Sequence, residues 1–485
     1  MDLTVKMNDY ETQCIQLGIP YLKLNTLSIM SVYSYGKLFT TLKKSKEWDF
    51  IRIDSDYGFE VYYPSRVAWR KLRRQGKLLD VLVYGAGAIK NFTIHPLKGN
   101  ISPIPSEDYL VDENTVLAVR TGEITKSGIV PTGFKKLIKM SYGTKDVAFT
   151  EDLIRIKHNN EDTRLYTILF LNTELGKHIS KIAYYGALQP HLDENILKSI
   201  PIPIPNDFNK IKDILTKFSN ALTCEIRAWE AYFKAMKIVE EYLPPTILEK
   251  TTTSVASFKD FKNYGRLDSK FYLGLTMLEK VAKGNVIPAN KLFNVVLGTA
   301  PRSREYKNRE EGLPYISYES IDDSGYTDDN LFYRVPKSNS RAKAKRGSVI
   351  ITTVAHSIEG IGKVGILYPH DDVLAMTGLA ILNPKLKDER NEELCFYTFG
   401  VLKSSLMRKF LQSLTYGLTA QIAKPDVERI PIPVINEIFS DVAKNMRNFI
   451  ENIHKANKIK RETIKMLEAE LNRALYGDKN DESRR

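Results

Sequence analysis

The chain has 485 residues, room for two to four domains at the usual ~100–200 residues each. Hydrophobic residues make up 43% and charged residues 27%, a balance that supports sizeable cores and excludes global disorder. Lys and Arg total 71 against 58 Asp and Glu, and a net charge of +13 points to a polyanionic partner, nucleic acid being the commonest.

Residues 1–50 read as an N-terminal segment, and its opening Met1-Asp2-Leu3-Thr4-Val5-Lys6 has no apolar core of signal-peptide length. A first α+β domain covers 51–205. It holds the basic run Arg66 to Arg74, strand-like Thr115–Val119 and Asp152–Ile156, a helical stretch over Glu161–Ser180, and the ending Ile200 to Pro205. From Asn206 to Leu243 there is no Gly or Pro. Ile211, Ile214, Phe218, Leu222, Trp229, Phe233 and Val239 fall on one apolar stripe, so 206–245 reads as a central long helix stopped by Pro244-Pro245. A linker, 246–265, carries Thr251-Thr252-Thr253-Ser254.

The second domain, 266–433, has strand-like Ser348–Thr352 and Leu379–Leu382 and a helical stretch over Glu392–Gln412. A second long helix covers 434–477, with Ile438, Val442, Met446, Phe449, Ile453 and Leu467 on its stripe and Gly477 after its end. A polar tail, 478–485, closes the chain. Each helix is about 60 Å long at ~1.5 Å per residue. Two matched helices closing equivalent repeats are expected to pair as an antiparallel coiled coil; the plainer alternative packs each on its own domain.

The repeat shows directly. Ile200-Pro201-Ile202-Pro203-Ile204-Pro205 matches Ile430-Pro431-Ile432-Pro433-Val434. Tyr185-Gly186 matches Tyr416-Gly417, and Gln189 sits near the equivalent of Gln421. Arg52-Ile53-Asp54-Ser55 echoes Arg266-Leu267-Asp268-Ser269, and Ser28 to Tyr35 echoes Ser254 to Phe261. The shared order at offsets of roughly 215–230 residues reads as domain duplication, a period too long for a solenoid.

Several motifs are set aside. Gly360-Ile361-Gly362-Lys363-Val364-Gly365 spells GxGxxG, but Pro369 leaves no room for the helix that would hold a pyrophosphate, so a loop or hairpin is expected. No GxxxxGK[ST], no [DNS]PP[YFW] and no PD…(D/E)xK set occurs. Cys14, Cys224 and Cys395 lie far apart without CxxC, which excludes a disulfide scaffold and a zinc site and fits a cytoplasmic protein. No run of about 18 apolar residues exists, so no membrane span is expected.

The positive signal is basic. Beside Arg66 to Arg74 stand Arg302-Ser303-Arg304-Glu305-Tyr306-Lys307-Asn308-Arg309 and Arg341 to Arg346, suited to phosphate neutralisation and, through Arg, Asn and Gln, to base edges. For each run a merely solvated surface is the rival reading. The 302–309 run follows the loop signal Leu297-Gly298-Thr299-Ala300-Pro301, which places it at an exposed tip.

Four segments in one order carry a family resemblance: Arg266 to Tyr272 (RLDS-x-FY); Val296 to Ser303 with Leu313-Pro314-Tyr315-Ile316; Arg346 to Ile351 with Ile361 to Gly365; and Thr415 to Gln421 with Ile430 to Pro433. They look like the RLDS, GxTPSR…IPWI, GDIL…GxxGKxG and G[ST]xQ…IPIP segments of the DNA-specificity subunits of type I restriction–modification systems. The resemblance is strongest over 254–475 and fainter over about 28–245, where no GxTPSR counterpart is evident near Ala86 to Ser106. It implies an α+β chain of two duplicated α/β target-recognition domains separated by two long antiparallel coiled-coil helices. Each domain would read half of a bipartite site, and the helices would act as a ruler for the gap.

The chain itself would carry no catalytic residue, metal or cofactor. S-adenosylmethionine would come with two modification subunits, and ATP and Mg with restriction (translocase) subunits. The partner is double-stranded DNA. The expected contacts are Arg302, Arg304, Tyr306, Lys307, Gly417, Thr419 and Gln421 in the second domain, and Arg120, Gly186 and Gln189 in the first. A type IIB-like or methylation-only system and, further off, a coiled-coil scaffold or RNA-binding protein are the alternatives.

Overall fold

In both halves the isoleucine–proline segment is a β-strand. Alternating prolines put every missing N–H on one side of the strand, so the isoleucine N–H groups remain for a single partner. Trp48–Arg52 pairs antiparallel with Pro201–Pro205, Ile51 facing Ile202. Val286–Pro288 pairs antiparallel with Pro431–Pro433, Ile287 facing Ile432. The computed structural model describes residues 47–64, 79–104, 106–144, 146–182, 184–185, 190–192, 194–199, 201–244, 269–299, 312–335, 343–386, 388–416 and 420–476. They fall into two units, the first drawn from Met1–Ile226 and Lys455–Arg485, the second from Arg227–His454.

The strands of the first unit are β1 (Trp48–Arg52), β2 (Phe59–Tyr62), β3 (Leu79–Tyr84), β4 (Ile89–Lys90), β5 (Thr93–Ile94), β6 (Asn100–Ile104), β7 (Val116–Val119), β8 (Ser127–Ile129), β9 (Val147–Phe149), β10 (Leu153–His158), β11 (Tyr184–Tyr185), β12 (His191–Leu192) and β13 (Pro201–Pro205). Its helices include α1 (Phe134–Tyr142), α2 (Glu161–Asn172), α3 (Glu174–Ile182) and α4 (Glu194–Ser199). One sheet runs β2-β10-β7-β8-β5-β4 and a second β6-β3-β9; β1-β13 and β11-β12 are separate ladders. β7 is buried along its whole length, as its run of Val, Leu and Ala requires.

The helical stretch read over Glu161–Ser180 is two helices. Thr173 breaks it, because both its N–H and its hydroxyl donate to the Phe170 carbonyl, closing α2 before α3 begins. Asn160 caps α2 by accepting from the Thr163 N–H.

The second unit has β14 (Val286–Pro288), β15 (Phe293–Leu297), β16 (Leu313–Ile316), β17 (Tyr333–Val335), β18 (Lys343–Ala344), β19 (Val349–Thr352), β20 (Val354–Ala355), β21 (Val364–Ile366), β22 (Val373–Ala375), β23 (Leu379–Pro384), β24 (Ala420–Gln421) and β25 (Pro431–Pro433). Its sheets run β15-β23-β19-β21 and β17-β16-β22-β18, with β14-β25 and β20-β24 as ladders. The order β15-β23-β19-β21 repeats β2-β10-β7-β8, and each of these pairs is antiparallel. The parallel pair β16–β22 repeats β3–β9.

Two long helices follow β13 and β25. To number them in chain order, α5 is Lys212–Tyr242, α6 Ser269–Val281, α7 Ala289–Leu292, α8 Glu389–Leu402, α9 Ser405–Ser413, α10 Lys424–Glu428 and α11 Asn436–Tyr476. The stretch expected from Asn206 begins as a helix only at Lys212. Asp207 accepts from the Asn209 N–H and holds Phe208–Ile211 as a 3-10 turn.

The same hydrogen bond locks both isoleucine–proline strands. Tyr166 of α2 donates to the Pro203 carbonyl, and Tyr397 of α8 donates to the Pro433 carbonyl at 2.9 Å.

The apolar stripes of the long helices serve two purposes at once. In the first unit Ile214, Phe218 and Leu222 of α5 share a core with Ile464, Leu467 and Leu471 of α11 and with Ile154, Ile156 and Leu169 from the sheet and α2. In the second unit the rings of Trp229 and Tyr232 lie 5.3 and 4.9 Å from that of Phe449. There α8 lies directly on α11: a Cβ at Gly400 would come within 2.7 Å of Val442 Cγ1, so that close approach needs glycine.

One sequence echo does not survive. Arg52 ends β1, whose counterpart is β14, whereas Ser269 opens α6, well before β14. Three identities in four residues are too few to set register; sheet pairing sets it. The echo of Ser28–Tyr35 and Ser254–Phe261 lies outside the described residues.

Candidate nucleic-acid interface

Of the expected contact residues, Arg120 and Gln421 are described. Arg302, Arg304, Tyr306, Lys307, Gly417, Thr419, Gly186 and Gln189 lie outside the described residues, as does the run Arg66 to Arg74.

Gln421 belongs to β24. It faces Val354 across the ladder, and it exchanges two backbone hydrogen bonds with Tyr416, at 3.0 and 3.3 Å. The next residue, Ile422, donates to the Thr353 carbonyl at 2.8 Å. The first unit has the same arrangement. His191 faces both Tyr185 and Thr121, and Leu192 donates to the Arg120 carbonyl at 2.7 Å. His191 therefore stands at the Gln421 position and Arg120 at the Thr353 position. The His191 Nδ1 is 3.1 Å from Thr121 Oγ1. Matching glutamine to glutamine missed His191; counting back from Leu192 and the isoleucine–proline strand would have found it.

Arg120 is half-buried, with its guanidinium 4.3 Å from the centre of the Tyr63 ring, a cation–π contact. Among the described residues its Nε has no hydrogen-bond partner. Tyr63 follows β2, and Pro64-Ser65-Arg66 come next. In the second unit the counterpart strand β15 leads into Gly298-Thr299-Ala300-Pro301-Arg302. The counterpart of the GxTPSR segment thus stands directly after β2, at the head of the Arg66 to Arg74 run, and not near Ala86 to Ser106.

The flanks of the 300–311 segment are fixed by backbone contacts. Gly298 donates to the Leu379 carbonyl at 2.7 Å, and a Cβ there would fall 1.9 Å from the Met376 carbonyl oxygen, so only glycine fits. Thr299 donates to Ala375 O at 3.0 Å and accepts from the Tyr315 hydroxyl at 3.3 Å. On the far flank, Arg334 Nη1 donates to the Gly312 carbonyl at 3.3 Å.

Beside these flanks opens a cavity of about 180 Å³ lined by Tyr315, Ser317, Tyr318, Glu319, Tyr333 and Met376. A chain of contacts links it to Gln421. The Tyr318 hydroxyl donates to Thr377 O at 2.8 Å, and the N–H groups of Thr353 and Val354 donate to Gly378 O at 2.8 and 3.3 Å. Burial pushes the Tyr318 phenol above its ordinary range, so it stays a donor.

In the third basic run, Arg346 is committed elsewhere. The Arg346 guanidinium lies 4.9 Å from the centre of the Tyr368 ring and pairs with Glu392 at 3.3 Å. The GxGxxG segment turns at Gly362, φ +71°, and its last two residues already belong to β21, not to a helix. Among the described residues no group of three or more His, Cys, Asp or Glu is placed to hold a metal, and no helix is long and apolar enough to cross a membrane.

Residues 92–228 match the family model Methylase_S, the type I restriction modification DNA specificity domain. The match falls in the half where the sequence motifs are less complete. No curated protein sequence matches the chain. Among solved structures, the type I restriction-modification system S subunit from M. genitalium is 13% identical over 88% of this chain and 96% of that one, with a TM-score of 0.40. The HsdS subunit from Thermoanaerobacter tengcongensis is 15% identical over 89% and 97%, with a TM-score of 0.27. Residues 92–228 are thus similar to a type I restriction modification DNA specificity domain, the family that the sequence resemblance names most strongly over 254–475.

Proposed function

We propose that this chain is the DNA-recognition subunit of a type I restriction–modification complex acting in the cytoplasm. Each unit reads one half of a bipartite site in double-stranded DNA, as a target-recognition domain, and α5 with α11 forms an antiparallel helical ruler for the gap. The observation that carries this reading is the repeated strand order, β2-β10-β7-β8 and β15-β23-β19-β21, each unit ending in an isoleucine–proline strand that leads into a long helix. A rigid helical connection suits two half-sites, because a flexible linker would not hold helical phase on the duplex.

The chain recognises and does not catalyse. Its duplicated faces recruit two modification subunits, which supply S-adenosylmethionine chemistry; restriction subunits supply ATP- and Mg-dependent translocation and cleavage. Arg302, Arg304, Tyr306, Lys307, Gly417, Thr419 and Gln421 contact DNA from the second unit. Arg120, Gly186 and Gln189 do so from the first, where His191 joins them at the Gln421 position. Arg and Lys neutralise phosphate, Gln and His read base edges, and Gly and Thr allow close backbone approach.

A genome-wide adenine-methylation map of host cells with and without the gene tests this. Loss of one bipartite motif on deletion is the expected result. An unchanged map in cells that produce the modification subunit overturns the reading.

A further inference from the structure

On the recognition reading the cavity beside Thr299 faces DNA, and it holds a charge that such a surface ordinarily avoids. Five of its six lining residues are uncharged, three of them tyrosines; the sixth is Glu319, exposed, with a carboxylate. Tyr333 donates to Glu319 Oε2 at 3.0 Å and so orients the group. Glu319 Oε1 has no hydrogen-bond partner among the described residues, and no described Lys or Arg forms an ion pair with Glu319.

A carboxylate near phosphates is repelled by them, so on this face it gains only by meeting a donor. In the major groove the only donors are exocyclic amino groups, N4 of cytosine and N6 of adenine. Guanine N7 and O6 and thymine O4 are acceptors and would be rejected by the same charge. Adenine sets its N7 acceptor beside N6, against the second carboxylate oxygen. Cytosine offers its amino group with no acceptor beside it on that edge, and carboxylate-to-cytosine is the favoured pairing. The phenols of Tyr318 and Tyr333 supply flat walls for the base or its sugar.

Resting on the recognition reading above, we infer that Glu319, held by Tyr333, is a specificity-determining residue that selects a cytosine in the half-site read by the second unit. Its place in the sequence, three residues after β16, gave no signal; only the fold brings Tyr333 to it.

Methylation maps of cells carrying the unsubstituted chain, Glu319→Gln and Tyr333→Phe test the inference. The unsubstituted chain should give a motif with cytosine at one position of one half. Glu319→Gln, which adds a donor and removes the charge, should relax that single position by roughly tenfold or more and leave every other position alone. Tyr333→Phe should relax the same position by less. Glu319 is exposed, so an unchanged melting temperature confirms that the variant folds. A bipartite motif unchanged in Glu319→Gln overturns this inference and leaves the recognition reading standing, as does relaxation at an adenine. If the unsubstituted chain specifies no motif, the recognition reading falls and this inference falls with it.

Discussion

Lys460 Nζ lies 2.8 Å from Glu225 Oε2, joining α11 to α5 where both side chains are buried: Lys460 fully, Glu225 with 7% of its side chain exposed. The Thr93 hydroxyl, from β5, donates to the other Glu225 oxygen at 2.8 Å. A buried ion pair of this kind is a poor source of net stability but a sharp selector of alignment. Sliding either helix by a turn would leave two unpaired charges in a dry interface.

Removing one partner should therefore cost far more than removing both. Lys460→Met or Glu225→Leu alone is expected to destabilise the chain by about 3–5 kcal/mol, and the double substitution to recover most of that. Urea unfolding of the three variants checks it; an additive double mutant would show that the pair is not coupled.

The two tyrosine locks make a second matched test. Tyr166→Phe removes one buried hydrogen bond, to Pro203, at a cost of about 1 kcal/mol. Tyr397→Phe should cost more, about 2 kcal/mol, because the Tyr397 hydroxyl both donates to Pro433 and accepts from the Ile435 N–H at 2.9 Å. The two share no partner, so their effects should add within ~0.5 kcal/mol in denaturant titrations.

Arg302→Ala combined with Arg304→Ala should weaken duplex binding without lowering the melting temperature, since the flanks that fix this segment are backbone contacts of Gly298, Thr299 and Gly312. If these arginines neutralise phosphates, the slope of log affinity against log salt should shrink by about 0.9 for each phosphate left without its cation. Unaltered affinity at low salt would remove this segment from the interface.

Inserting one heptad into each of α5 and α11 adds seven residues at ~1.5 Å, about 10 Å in all, or about three base pairs at ~3.4 Å each. The methylated motif should keep both half-sequences and gain that much gap. A gap of the original length would show that the helices do not set the spacing.

Much of this protein was legible in its sequence because local rules suffice there. The proline-free amphipathic stretches became α5 and α11, and Thr115–Val119, Asp152–Ile156, Ser348–Thr352 and Leu379–Leu382 contain or overlap β7, β10, β19 and β23, since continuous apolar β-branched runs have few other stable outcomes. The isoleucine–proline echo marked equivalent strands because alternating proline restricts a strand to one kind of edge.

What tertiary structure alone decided was correspondence between residues distant in sequence. It put His191 at the Gln421 position, moved the GxTPSR counterpart to the end of β2, detached Arg52–Ser55 from Arg266–Ser269, tied Arg346 to Glu392, and set Glu319 beside Tyr333. Helix and strand propensities act over a few neighbours. Register, side-chain pairing and the burial of Glu225 against Lys460 arise only when ladders close between segments tens to hundreds of residues apart, and no local pattern encodes which segments will meet.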